Sequence, residues 1–252
     1  MSELDIKNEQ TVTEWEIPTP KVSFYTKYIK RLLDIILSGM AIIVLCPVYI
    51  IIAVLELIYH GRPIMYKSKR PGKGGVLFDL LKFRSMTNEC DETGQLLPAA
   101  DRVTPFGRVL RRLSLDELGG LFCIFTGTMS IIGPRPLLTE YLPLYNERHK
   151  YRHSVKPGLV CLKVDGNDKI STNTWTWYNQ FENDIFYVEN VSFLVDVKMV
   201  LKAFKAVFVG SDMRTNADRV RFNGHNLYET RPKHEVDLAE KQAKEQQESK
   251  YV

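Results

Sequence analysis

The chain has 252 residues, 44% of them apolar and 25% charged, with a formal net charge of +4. That is enough for one sizeable folded domain with tails, and it excludes a wholly disordered chain. The small net charge hides an uneven distribution. Residues 1–20 hold five acids and one lysine, whereas residues 60–84 hold seven bases against Asp79 alone, so a polyanion such as phospholipid, nucleotide or nucleic acid is expected beside that block. The four cysteines (Cys46, Cys90, Cys123, Cys161) form no Cys-x-x-Cys pair and have no nearby histidine pair. A zinc site or disulfide framework is therefore not expected, and reduced thiols are.

Residues 1–24 form a polar leader. From Ile35 to Leu55 no side chain is charged. A straight helix over that run is about 31 Å long, just enough for a bilayer core. Pro47 sits inside it, and a proline there lacks an amide hydrogen and clashes with the preceding turn, so a kink is expected. Basic residues flank both ends: Lys27, Lys30 and Arg31 before, Arg62, Lys67, Lys69 and Arg70 after. Positive flanks belong in the cytoplasm. A straight span satisfies only one of them, while a bent helix that enters and leaves by one leaflet satisfies both. The re-entrant form over residues 25–60 is the expectation, with a straight span or a buried core helix as alternatives. Ser38 or water is expected to satisfy backbone groups near the bend.

Ile64 to Tyr66 and Val76 to Leu81 read as short strands around the turn at Pro71-Gly72-Lys73-Gly74-Gly75. A loop over 87–101 follows. Helices are expected over Arg102 to Leu113, Leu115 to Phe125 and Leu138 to His149, with a turn at Lys156-Pro157-Gly158. Ser192 is a candidate cap for a helix running to Val209. That helix sets Lys198, Lys202 and Lys205 beside Phe193, Leu194, Val197, Leu201, Phe204 and Phe208, a pattern suited either to a membrane interface or to ordinary core packing. Glu235 to Glu248 is polar all round and reads as a solvated tail or a partner-binding helix. The fold class is α+β, mainly helical.

Ser114-Leu115-Asp116-Glu117 fits the capping-box pattern, with Ser114 and Glu117 bonding reciprocally. It leaves Asp116 at a helix N-terminus, where a carboxylate or a phosphate is stabilised. An ionised carboxylate beside arginines can attack an activated phosphorus, and its neighbour can hold a divalent metal. In Gly133-Pro134-Arg135-Pro136 two prolines stiffen the backbone around one guanidinium, which suits bidentate phosphate binding. Lys69-Arg70-Pro71-Gly72 and Lys82-Phe83-Arg84-Ser85-Met86 cluster further cations; anionic lipid alone would attract them by about 1 kcal/mol per basic residue. The Gly72–Gly75 turn lacks the Gly-Lys-Ser/Thr signature of a nucleotide P-loop. No nucleic-acid reader module is visible, and nucleic acid is not an expected partner.

Taken in order, these motifs resemble those of the bacterial sugar transferases, the monotopic polyprenyl-phosphate phosphoglycosyl transferases. The resemblance covers about residues 27–210. It rests on Lys30-Arg31-x-x-Asp34, Pro47, Arg70-Pro71-Gly72, Lys82 to Met86, Arg111-x-x-Ser114-Leu115-Asp116-Glu117-Leu118, Met129-Ser130 through Leu137, Lys156-Pro157-Gly158 and Glu182-x-Asp184-x-x-Tyr187. It implies a re-entrant membrane helix (25–60) and a small cytoplasmic catalytic domain (61–210), followed by a polar tail (211–252), at the cytoplasmic face of a bacterial inner membrane. The implied reaction moves a sugar-1-phosphate from a UDP-sugar to polyprenyl phosphate with Mg²⁺, releases UMP and initiates a surface glycan. By position, Asp116 is the implied nucleophile and Glu117 the magnesium ligand. Arg111, Arg135, Lys82, Arg70 and Asp184 are the implied substrate-binding residues, and downstream glycosyltransferases are implied partners. A noncatalytic member that binds polyprenyl phosphate or a partner enzyme is the alternative. The chain departs from the family pattern at Gly119-Gly120, Cys123 and Thr128, around Val160 to Lys163, and at Asn167. Two successive glycines cost about 1 kcal/mol each relative to alanine, so the helix after the acid pair is expected to be loosened or broken.

Overall fold

Leu45 breaks the apolar run. Helix α1 covers Lys30–Val44 and helix α2 covers Cys46–Tyr59, and α2 turns by 62° from the helical segment Tyr25–Val44. Leu45 leaves helical geometry (φ −86°, ψ 3°), and Pro47 occupies the first turn of α2, where a missing amide hydrogen costs nothing. The expected bend is present, displaced two residues from the proline. Ser38 serves elsewhere: its hydroxyl donates to the carbonyl of Asp34, a full turn back along α1. Among the described residues no single helix is long and apolar enough to cross a membrane, but the bent pair has the length and composition for it.

A computed structural model of the chain describes residues 16–162, 176–209 and 221–227. The expectations for Lys163, Asn167, most of the leader and the tail apart from 221–227 lie outside them; within 221–227 the tail is not solvated throughout, since Phe222 and Asn226 are buried. The architecture is α+β with helices predominating, and the chain divides into two compact units.

The unit formed by Val22–Thr139 and His153–Val160 contains the bent pair, with its polarity inverted. The buried residues of α1 are Asp34 and Ser38, and those of α2 are Ile52 and Glu56. Ile43, Val44 and Ile58 are each at least 70% exposed. Strands β1 (Met65–Pro71) and β2 (Leu77–Phe83) pair antiparallel, with Met65 opposite Phe83 and Pro71 opposite Leu77. The hairpin agrees with the alternating sequence, although β1 runs further into the basic stretch than expected. Helix α3 (Pro105–Arg112) is capped by Thr104, whose hydroxyl accepts from the amide of Gly107. A 3₁₀ turn, Leu115–Gly119, leads into helix α4 (Gly120–Thr126). The short strands β3 (Ser130–Ile132) and β4 (Gly158–Val160) pair in parallel.

Two apolar clusters hold this unit together. Leu80, Cys123, Ile124 and Met129 form one; Ile52, Phe83 and Leu110, flanked by Tyr49, Phe106, Leu115 and Leu118, form the other. The second cluster packs α2 against α3 and against the segment carrying the acid pair. Polar contacts add to it. Arg31 donates to the carbonyls of Ile124 and Phe125 at 2.7 and 2.8 Å, closing the C-terminal end of α4. Asp34 accepts from Ser130 Oγ and from the amide of Ile131. These contacts give Lys30-Arg31-x-x-Asp34 a structural reason: both partners are backbone-rich ends that need a buried counter-group.

The other unit draws on Met1–Lys21, Glu140–Arg152 and Cys161–Val252. Helix α5 (Trp177–Asn190) buries Glu182, which accepts from Arg148 at 2.8 and 3.0 Å, and Asp184, which accepts from Arg152. The Arg152 guanidinium lies over the rings of Tyr145 and Phe181, 5.5 Å from each centroid, and Phe181 packs in turn against Trp177 and Phe222. Helix α6 (Phe193–Val209) buries Asp196 and Met199 while Phe193, Leu194, Leu201 and Phe204 are exposed. Much of the expected apolar face is thus outward, with the lysines beside it. The helix expected over Leu138 to His149 is instead two 3₁₀ turns, Thr139–Leu144 and His149–Ser154. Pro143 lies inside the first and cannot continue an α-helical ladder. All four cysteines are free thiols.

Candidate active site

The acid pair sits where β2, α3 and the 3₁₀ turn meet. Ser114 adopts a left-handed conformation (φ 56°, ψ 21°), which costs a non-glycine residue about 1–2 kcal/mol. The expected capping box is therefore not formed: the Ser114 side chain caps nothing, and Glu117 meets Ser114 only through the backbone, its amide donating to the Ser114 carbonyl at 3.2 Å. The sharp turn frees the Glu117 side chain for other partners.

Those partners are cations. Lys82 Nζ donates to Glu117 Oε1 at 2.9 Å, and Arg135 Nη2 donates to the same oxygen. Arg135 comes from the proline-bounded corner and Lys82 from the end of β2. Burial opposes ionisation of Glu117, but the Arg135 and Lys82 charges and bonds outweigh it and hold the carboxyl below its usual range. Asp116 is 9% exposed. Burial pushes its pKa above the ordinary value; Lys82 and Arg111 pull against that, and Glu117 adds to it. Arg111 is oriented by its Nε, which donates to Ser85 Oγ at 2.8 Å.

The structure thus gathers Asp116, Glu117, Lys82, Arg135 and Arg111 in one unit. It does not bring Arg70 to them. Arg70 lies opposite Phe78 and donates to Ser68 Oγ, whereas Lys82 lies opposite Tyr66. Four strand positions separate the two places, about 13 Å. Asp184 belongs to the other unit, and its carboxylate is taken up by Arg152 at 2.6 and 3.0 Å with both side chains buried. There it neutralises a buried arginine.

Gly119 and Gly120 do not break the chain's helical course. Both are right-handed, and the 3₁₀ turn passes directly into α4. A Cβ on Gly119 would lie 2.5 Å from the Leu81 carbonyl oxygen. The missing side chain lets the acid-pair segment press against β2, next to Lys82. Sequence reasoning also missed Tyr49, whose hydroxyl donates to the Leu118 carbonyl at 2.7 Å and ties α2 to the same segment. A lone tyrosine in an apolar run carries no signal for that role.

For a metal, the relevant donors are the two adjacent carboxylates. Both cations bond Oε1 of Glu117. No group of three His, Cys, Asp or Glu side chains converges among the described residues. This donor set fits magnesium held through one or two carboxylates together with substrate phosphates, and does not fit an all-protein cage.

Comparison with known proteins bears on this geometry. Residues 25–210 match the family described as bacterial sugar transferase. The uncharacterized sugar transferase EpsL of Bacillus subtilis (strain 168) is 41% identical over 203 residues, which cover 78% of this chain and 96% of that protein. The exopolysaccharide production protein ExoY of Sinorhizobium fredii is 35% identical over 196 residues, 71% of this chain and 84% of that one. The UDP-N-acetylgalactosamine-undecaprenyl-phosphate N-acetylgalactosaminephosphotransferase of Aeromonas hydrophila is 33% identical over 205 residues, 79% of this chain. The match covers only 47% of that enzyme's own length. With the matched span holding the bent helix pair, Asp116, Glu117 and the cations around them, the chain belongs to the bacterial sugar transferase family.

Proposed function

We propose that this protein is a phosphoglycosyl transferase that moves a sugar-1-phosphate from a UDP-sugar to polyprenyl phosphate and so initiates a glycan. The carrying observation is the grouping of a largely buried Asp116 with Arg111, Lys82 and the Arg135–Glu117 pair. Relatives that share this span are named for undecaprenyl-phosphate sugar transfer and for exopolysaccharide production.

In the proposed reaction a carboxylate oxygen of Asp116 attacks the phosphorus bonded to the sugar. The bond from that phosphorus to the bridging oxygen breaks, and UMP leaves with the electron pair. An oxygen of polyprenyl phosphate then attacks the phosphosugar–aspartyl intermediate and displaces the carboxylate. Arg111 neutralises charge on the phosphates from its place above Ser85. Lys82 and Arg135 orient Glu117 and place two positive charges beside the acid pair, where they offset phosphate charge. Glu117, with Asp116 beside it, is the proposed holder of Mg²⁺, which when bound offsets phosphate charge.

The setting proposed is the cytoplasmic face of a bacterial inner membrane. Apolar side chains on the outside of the bent pair and polar ones inside suit a lipid environment, and basic flanks at both ends suit a re-entrant segment. A cysteine placed at Lys27 and one placed at Lys67 should both resist an impermeant thiol reagent added to intact cells. Labelling of one alone would overturn the re-entrant topology.

The deciding experiment uses the purified full chain in lipid nanodiscs with Mg²⁺, undecaprenyl phosphate and UDP-N-acetylgalactosamine, UDP-galactose or UDP-glucose. UMP release with at least one donor, abolished by Asp116→Asn, is the expected result. Silence with lipid still bound would favour a noncatalytic binding role.

A further inference from the structure

Three polar side chains outside the acid-pair site form a continuous hydrogen-bonded chain between the bent apolar pair and α3. Glu56, on the last turn of α2, accepts from His60 Nδ1 at 2.9 Å, and His60 Nε2 lies 3.0 Å from Thr104 Oγ1. The Glu56 and His60 side chains have no solvent exposure. Thr104 is the residue that caps α3 through the Gly107 amide. In the tautomer that carries its proton on Nδ1, His60 donates to Glu56 and presents Nε2 as an acceptor. Thr104 then donates its hydroxyl proton to His60 while accepting from Gly107, so each contact has a consistent polarity. Arg84 supplies the nearby positive charge, donating to the His60 carbonyl at 3.0 Å.

A charged side chain in this place is a poor choice for stability alone. It lies on an otherwise apolar helix, and Glu56 Oε1 has no hydrogen-bond partner among the described residues, a state that costs free energy. Its neighbours connect it to the acid pair. Tyr59 stacks on Phe106 of α3 with ring centroids 5.1 Å apart. Gly107 is so close to Ser85 that a Cβ would lie 2.0 Å from the Ser85 carbonyl oxygen. The Ser85 hydroxyl orients Arg111 at the far end of α3.

We infer that Glu56, His60 and Thr104 form a positioning relay that couples the end of the bent apolar helix to Arg111, and so aligns the cation facing Asp116. This rests on the transferase reading above. A shift of α2 in the lipid moves Thr104, and with it the start of the eight-residue helix that ends in Arg111 and Arg112. None of the three residues touches the reacting groups; each acts through α3.

The test measures UMP release by the full chain in nanodiscs, with the donors and acceptor given above. Thr104→Val should lower kcat by about tenfold or more, and Thr104→Ser should restore it to within about twofold. In an Arg111→Gln background, adding Thr104→Val should cost less than about twofold, because coupled residues are non-additive. If Thr104→Val does not fold, Glu56→Leu carries the same test, since it removes the anchor of His60 and places an apolar group on an apolar helix. Losses that simply multiply between Thr104→Val and Arg111→Gln overturn the relay and leave the transferase reading in place. So does a Thr104→Val protein as active as the unaltered chain. An unaltered chain that releases no UMP from any donor overturns the transferase reading, and the relay with it.

Discussion

Lys82 at the end of β2 and Glu117 in the following 3₁₀ turn meet at 2.9 Å through Nζ and Oε1, each side chain about three-quarters buried. That bond links the hairpin to the acid pair and places a positive charge where it also acts on Asp116. Lys82→Met should therefore reduce UMP release by about 10²–10³-fold, the size of loss seen when one electrostatic contributor to a transition state is removed. Stability should change by only about 1 kcal/mol, because Arg135 still holds Glu117 and partly exposed pairs contribute little. Kinetics beside a melting curve check both halves; a large loss of Tm with little loss of rate would contradict the assignment.

The acid side of the pH profile should report Asp116. In the proposed reaction the carboxylate of Asp116 is the attacking form, so activity should fall as pH drops through its pKa. Burial raises that pKa, and the acid limb should lie above the usual carboxylate value of about 4. Arg111 pulls the pKa down. Arg111→Gln should thus move the limb to higher pH in kcat/KM profiles, and a shift to lower pH would count against Asp116 as the titrating group.

Gly119 and Gly120 should respond differently to the same change. A methyl group on Gly119 must displace the Leu81 backbone, at a cost of about 1–3 kcal/mol, and moves the acid pair away from Lys82. Gly119→Ala should be a folded protein with sharply reduced turnover. A methyl on Gly120 meets nothing closer than 3.8 Å and its backbone is already right-handed helical. Gly120→Ala should keep activity and gain up to about 1 kcal/mol of stability.

Asp184 should behave as a structural residue. Arg152 is fully buried beside it, and Asp184→Asn leaves that charge without its counter-ion, a change that typically costs about 3–5 kcal/mol. The expected result is a large fall in thermal stability, with KM for the UDP-sugar unchanged in whatever folded protein remains. A raised KM at unchanged Tm would return Asp184 to the substrate site.

The sequence showed a good deal of this in advance. The bend near Pro47 and the hairpin around Gly72–Gly75 follow from local chemistry: a missing amide hydrogen, and alternation between turn residues. The capping box failed because Ser114 turns left-handed, and nothing local to Ser-Leu-Asp-Glu opposes the usual cap. The glycine pair misled because helix propensity counts the cost of flexibility and cannot count a carbonyl 2.5 Å away on another strand.

What the amino-acid order determined by itself was therefore the local vocabulary: an apolar run that must bend, two carboxylates side by side, clustered cations, and one arginine set between prolines. Only the tertiary structure decided which of those charges meet. It sent Lys82 and Arg135 to one oxygen of Glu117, gave Asp184 to Arg152 and left Arg70 along the strand, because a long-range ion pair depends on where the backbone carries each group and not on its spacing in the chain.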